Sequence, residues 1–180
     1  MNAEIRPDFR QLLLDQRGAA VIIWSCFMIS IVVYLVIAQH ILANPRYGSG
    51  LSFAPTARIV VWILVIVDLA YIVWWKMRYL KPEAVLDRNK RSKLLNALDS
   101  HRGGMEQEAA SVVSTFITRR ITLYAIIEAL AVYGLVLAVI GRYVTDQYLL
   151  SALSLVLLTI EFPTEKSLQN CLRQVEAPPS

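Results

Sequence analysis

The chain has 180 residues, of which 56% are hydrophobic and only 18% are charged, against about 25% charged in an ordinary soluble domain. This composition argues against a soluble globular fold, a disordered chain and a collagen, and two cysteines cannot build a disulfide scaffold of this length. The net charge of +4 comes without a basic stripe that is interleaved with aromatic residues, so nucleic acid is not an expected partner. An integral membrane protein is the class that remains.

Four hydrophobic segments follow one another along the chain, and each is predicted to form a helix. The first, 18–43, is preferred as a retained helix over a signal peptide, because its apolar run exceeds the usual 7–15 residues. The second and third, 57–80 and 119–141, reach the ~20 residues that a spanning helix needs. The fourth, 144–162, is weaker, and a half-membrane or interfacial segment is the alternative reading.

Basic residues are distributed unevenly between the connections. The N-terminal arm, 1–17, carries three arginines, and the long loop, 81–118, is rich in lysine and arginine, whereas the 44–56 connection has only one arginine. Because basic residues concentrate on the cytoplasmic side, both the arm and the loop are expected there, together with the 163–180 tail. The predicted fold is an all-α, polytopic bundle of two transmembrane hairpins, 18–80 and 119–162, with about four spanning helices, oriented N-in and C-in in a bacterial-type inner (plasma) membrane.

The long loop is predicted to be helical. Pro82 suits the first turn of a helix, and leucines at 94, 95 and 98 give that helix an apolar edge. After the Gly103-Gly104 pair, apolar residues from 109 to 117 recur at helical spacing and continue into the third segment. A short amphipathic helix is also expected within 168–175 of the tail.

Two carboxylates fall inside apolar segments, where an ionised acid is costly. Asp68 lies eight residues before Lys76, and Glu128 lies eight residues after Arg120. If those basic residues mark the cytoplasmic interface, both acids lie ~12 Å deep, at 1.5 Å of rise per residue. Three arrangements remain open: the acids share a proton, form a relay, or face separate neighbours. Either could equally be a structural acid that joins helices through a hydroxyl, with these candidate partners: Ser25, Tyr34, Tyr71 and Tyr124.

The third segment also carries a stripe of small residues, which predicts close approach of another helix. Glu128 borders this stripe, about 60° from its first member at 100° per residue, so it is expected to point toward protein. The members of the stripe are Ala131, Gly134, Ala138 and Gly141.

The run IIEALAVYGLVLAVI, at 126–140, resembles the ion-carrying helix of rotary ATPase proteolipid (c) subunits. The resemblance covers these residues alone. It implies that Glu128 is a proton carrier, that Tyr133 is the site tyrosine, and that Gly134 is a packing glycine. Ala129 follows Glu128 at a position where a hydroxyl residue often marks the sodium-binding members of that family. The resemblance therefore implies that the carried ion is a proton rather than sodium.

The expected function is that of a small, non-catalytic subunit or accessory of a membrane complex. The alternative is a proton-handling protein that uses Glu128, with or without Asp68, as a reversible proton carrier. No catalytic motif, metal-ligand spacing or cofactor fingerprint is recognised, so neither an enzyme nor a cofactor is expected. The expected partners are the lipid bilayer and other membrane subunits or further copies of this chain.

Overall fold

The computed structural model describes residues 7–44, 51–80 and 104–164, with side chains over 17–44, 51–80 and 115–164. These residues form helices and no strand, so the all-α prediction is confirmed. The four helices are α1 (Pro7–Ala43), α2 (Ala54–Tyr79), α3 (Gly104–Gly141) and α4 (Val144–Ile160).

Three stretches of helix are long and apolar enough to cross a membrane: Arg17–Ala43, Ala54–Tyr79 and Thr115–Gly141. The chain is therefore a multi-pass integral membrane protein. Helix α4 is apolar but shorter, with 17 residues. At 1.5 Å of rise per residue it is about 26 Å long, slightly less than the ~30 Å thickness of a bilayer's hydrocarbon core.

The helices start earlier than the hydrophobic segments do. Helix α1 begins at Pro7, a residue type that the first helical position tolerates, although its apolar span begins only at Arg17. Helix α3 begins at Gly104 and runs unbroken to Gly141, as the helical spacing upstream of the third segment predicts. The predicted loop helix after Pro82, the tail helix within 168–175 and the first six residues lie outside the described residues.

A left-handed residue ends α3 and starts the turn into α4. Arg142 has φ of 57°, and its amide donates to the carbonyl of Ala138 at 3.1 Å. The next amide, that of Tyr143, donates to the carbonyl of Leu137 at 3.4 Å. These bonds satisfy carbonyls that the end of a helix would otherwise leave without donors. Helix α4 can therefore begin within three residues of the end of α3.

The chain divides into two compact units. One comprises 1–23, 75–121 and 163–180, and the other comprises 24–74 and 122–162. In the second unit, Ser30 of α1 contacts Glu128 of α3, and Leu42, further along α1, contacts Arg142 just after α3. Because the contact positions increase together along both helices, α1 and α3 run parallel. Leu51, just before α2, bonds to Ile140, whereas Asp68 of α2 lies beside Tyr133, so α2 runs opposite to α3. Gln147 of α4 lies against Gly134 and Ser154 bonds to Ile127, so α4 also runs opposite to α3, and the second unit is an up-down-up-down bundle.

Helix α3 is the most enclosed of the three long helices. In its most apolar stretch 44% of the residues are buried, against 11% in α1 and 17% in α2. Leu123, Ile127, Leu130 and Leu137 have no exposed surface. The large apolar side chains of α1 and α2 remain exposed instead, as expected for helices whose outer faces meet lipid rather than water.

Candidate functional site

Glu128 of α3 is held by two hydroxyls from α1. Tyr34 donates its hydroxyl to Oε1 of Glu128 at 2.9 Å, and the hydroxyl of Ser30 lies in hydrogen-bonding contact with the same oxygen. Ser30 and Tyr34 are four residues apart, so they lie on one face of α1. A polar side chain that hydrocarbon would otherwise penalise thus finds partners within the protein.

Asp68 of α2 has a different partner. Its carboxyl group interacts with the hydroxyl of Tyr133 on α3. The resemblance assigns Tyr133 to the site of Glu128, whereas the structure pairs it with Asp68. Among the described contacts the two acids have separate neighbours, so of the three arrangements left open by the sequence the structure shows the third.

Among the small residues of α3, Gly134 lies against Gln147 in the first turn of α4. A Cβ atom at Gly134 would lie 2.8 Å from Oε1 of Gln147 and 3.3 Å from its Cα. Ala131 and Ala138 are fully buried. Gly141 is at the end of the helix, where a Cβ would lie 2.2 Å from the ring of Tyr143. A Cβ atom at either position would require its neighbour to shift.

Helix α4 is apolar in composition, but its buried face carries several polar side chains. Gln147, Ser151 and Ser154 are spaced at helical intervals and have at most 1% of their surface exposed. Ser154 donates to the carbonyl of Ile127 at 2.6 Å, and Nε2 of Gln147 donates to Oγ of Ser151 at 3.2 Å. Oε1 of Gln147 has no partner among the described residues.

Arg58 and Asp146 form an ion pair that the sequence did not reveal. Nε and Nη2 of Arg58 bind the two carboxylate oxygens of Asp146 at 2.6 and 3.0 Å. The guanidinium also lies over the ring of Tyr143, 4.8 Å from its centre. Asp146 is buried and stands in the first turn of α4, where the helix dipole favours an acid. The pair therefore joins the start of α2 to the start of α4.

Ser30 is another partner that the sequence analysis missed. The signal was available, because Ser30 and Tyr34 are polar residues one helical turn apart in a segment that is otherwise almost wholly apolar. Trp24 was missed as well, although its Nε1 donates to the carbonyl of Leu158 at 2.8 Å. Its signal is weaker, because tryptophan is also common on lipid-facing surfaces.

The described contacts therefore place each of the two acids beside a hydroxyl of a neighbouring helix. Within the described residues, no group of three His, Cys, Asp or Glu side chains could hold a metal ion. No protein-family model, curated protein or solved structure matches the chain.

Proposed function

We propose that this protein is a non-catalytic, membrane-embedded subunit or accessory of a larger membrane complex. One observation carries the proposal: Glu128 is hydrogen-bonded to the hydroxyl of Tyr34 on α1, and Asp68 interacts with the hydroxyl of Tyr133 on α3, which is how polar residues join transmembrane helices. The acids then serve the internal architecture of the bundle. The outer faces of α1 and α2 stay apolar and available to lipid or to a partner helix.

Photo-crosslinking in native membranes tests this proposal. A photoreactive amino acid is placed at Ile29 of α1 or at Ile66 of α2, which are 61% and 64% exposed. The matched control is Val65, the buried neighbour of Ile66. An exposed position is expected to capture a second polypeptide, whereas Val65 is expected to capture only its own chain. If both exposed positions capture lipid alone and the chain is a monomer in mild detergent, the proposal is wrong.

A second candidate function, proton handling at Glu128, is favoured by the hydrogen count at Ser30. The single hydroxyl proton of Ser30 faces two oxygens, Oε1 of Glu128 and the carbonyl of Phe27 at 2.8 Å. A carbonyl oxygen and an ionised carboxylate both accept hydrogen bonds and cannot donate them. A protonated Glu128 resolves the conflict, because it donates to Ser30 while Ser30 donates to Phe27. The contacts thus allow Glu128 to donate a hydrogen bond to Ser30, as the proton-handling candidate requires.

Two variants of Glu128 separate this candidate from a purely structural acid. Glu128→Gln keeps an oxygen that can accept a hydrogen bond from Tyr34, so it should insert and fold normally while any proton movement is lost. Glu128→Ala removes both contacts and should destabilise the bundle. The measurements are proton uptake by proteoliposomes and reaction of Glu128 with a hydrophobic carbodiimide across pH, with Asp68→Asn as the matched control. Unchanged proton uptake in Glu128→Gln would refute the candidate.

The N-in and C-in orientation in an inner (plasma) membrane is part of the proposal. It is supported by the basic residues that follow the apolar part of α2, namely Lys76 and Arg78. Single cysteines in a background without Cys26 and Cys171 test it with a membrane-impermeant maleimide. Ser52→Cys should react in intact cells, and Arg78→Cys should react only after permeabilisation. The reverse pattern would contradict the orientation.

A further inference from the structure

Helix α3 of the second unit meets three other helices in three directions. It contacts α1 at Glu128, α2 at Tyr133 and α4 at Gly134. At 100° of rotation per residue, Tyr133 stands about 140° and Gly134 about 240° around the helix from Glu128. The arc between Glu128 and Tyr133 therefore points toward none of these three contacts. We call this arc the open face of α3.

The side chains on the open face are exposed. Ala125 and Val136 stand about 60° and 80° from Glu128 on this side, and both are exposed. On the other side of Glu128, Tyr124 and Ala131 have at most 1% of their surface exposed. Glu128 is itself partly exposed, so its exposed surface lies on the side of Ala125.

An acid lies at each edge of the open face and is incompletely satisfied there. The two hydroxyls that bind Glu128 share its Oε1, and Oε2 has no hydrogen-bond partner among the described residues. Oε2 is also not among the enclosed polar atoms, so a partner can reach it. Asp68, beside Tyr133 at the other edge, is partly exposed as well. Such carboxyl groups are costly in hydrocarbon unless a further group pairs with them.

The middle of the open face is made of small side chains. Thr122, Ala125 and Ala129 are three and four residues apart, at about 60–120° from Glu128. Small residues at this spacing allow the backbone of another transmembrane helix to approach closely. The outer faces of α1 and α2 carry large apolar side chains instead. The open face therefore suits a helix better than it suits lipid chains.

Charge complementarity selects the kind of helix. The apolar stretches 18–39, 59–75 and 121–141 contain no lysine or arginine, so a second copy would bring only acids against these acids. Charged side chains inside a membrane usually pair with the opposite charge. We infer that the open face of α3 docks a transmembrane helix of a different polypeptide, which carries a lysine or arginine near the middle of its span. The inference rests on the proposed role as a subunit and adds the docking face and the partner's chemistry.

Fluorescence energy transfer in nanodiscs tests the inference, with the purified full-length protein and synthetic transmembrane peptides as probes. The probes are leucine–alanine helices of about 20 residues that differ only at the central position, which is lysine or leucine. The lysine peptide is expected to bind about tenfold more tightly than the leucine peptide, the effect of one hydrogen bond between charged groups. In the double variant Glu128→Gln with Asp68→Asn this difference should disappear.

A second variant blocks the open face without changing an acid. Ala125→Phe should weaken binding of the lysine peptide, because the larger side chain prevents close approach of the helices. The matched control is Ala152→Phe, at an exposed alanine of α4, which should leave binding unchanged. If the double acid variant does not fold, Ala125→Phe carries the test.

Three results would overturn the inference. They are equal binding of the lysine and leucine peptides, equal effects of the two phenylalanine variants, and energy transfer between copies of the chain that Ala125→Phe abolishes. The last would mean that a second copy occupies the open face. These failures are separate from failure of the proposed function. If crosslinks at Ile29 or Ile66 still capture a second polypeptide, the protein is a subunit whose partner binds at another face.

Discussion

A single methyl group should have opposite effects on stability at two glycines of this protein. In Gly134→Ala the new Cβ would meet Oε1 of Gln147 at 2.8 Å and the backbone of the same residue at 3.3 Å. In Gly18→Ala the Cβ would meet nothing within 4 Å. Both changes gain the same helix propensity, so Gly18→Ala is a matched control for the packing at Gly134.

The magnitude follows from two opposing terms. Replacing a helical glycine by alanine stabilises a helix by up to about 1 kcal/mol. Overpacking at a close helix contact costs roughly 1–3 kcal/mol. Oε1 of Gln147 could move aside, but this strains the bond from its Nε2 to Ser151, and the 3.3 Å contacts with the backbone cannot be relieved by a side chain. We expect Gly134→Ala to lower the free energy of unfolding by about 1 kcal/mol, as the difference of these terms.

The assay is equilibrium unfolding in mixed detergent micelles, followed by far-ultraviolet circular dichroism. Gly18→Ala should raise the free energy of unfolding by up to about 1 kcal/mol, so the two variants should differ by about 2 kcal/mol, or roughly 30-fold in the folding equilibrium. Adding Gln147→Ala should recover part of the loss in Gly134→Ala. If Gly134→Ala is as stabilising as Gly18→Ala, the close α3–α4 contact does not exist.

Three more predictions concern bonds between helices. Tyr133→Phe and Asp68→Leu should each lower the free energy of unfolding by about 1 kcal/mol, and the double variant should lose less than the sum, because the two side chains interact; additive losses in a double-mutant cycle would contradict the pairing. Ser154→Ala should lower stability by about 1 kcal/mol in the same unfolding assay, since it deletes the bond to α3, and no loss would mean that the bond is absent. Arg58→Asp should lower the melting temperature, and adding Asp146→Arg should recover part of that loss. No recovery would mean that the ion pair does not contribute to stability.

The sequence was sufficient for the helices because their determinants are local. An apolar run of the right length predicts a membrane span, and the third segment, predicted to end at 141, ends there in the structure. The early start of α1 at Pro7 was not predicted, because hydropathy marks only the apolar part of a helix and not the polar turns that precede it. The length of α4 lies near the lower limit for spanning, and both readings of that segment were therefore kept open.

The positions of the candidate acids were also readable, because a carboxylate in an apolar run stands out. What they bind was not. Ser30 and Tyr34 are 98 and 94 residues from Glu128 in the chain, and Arg58 is 88 residues from Asp146. Such pairs depend on the rotation of each helix about its axis, and a rotation of 100° separates one residue from the next.

The sequence by itself determined that this is an all-helical membrane protein with two acids in its apolar segments. Only the tertiary structure decided that Glu128 faces α1, that Asp68 faces Tyr133, and that Gly134 meets the backbone of Gln147. The physical reason is that composition and periodicity fix helices and their apolar faces. The choice of neighbours depends on how small residues, hydroxyls and charges from distant segments fit together, and a single chain read in order does not contain that information locally.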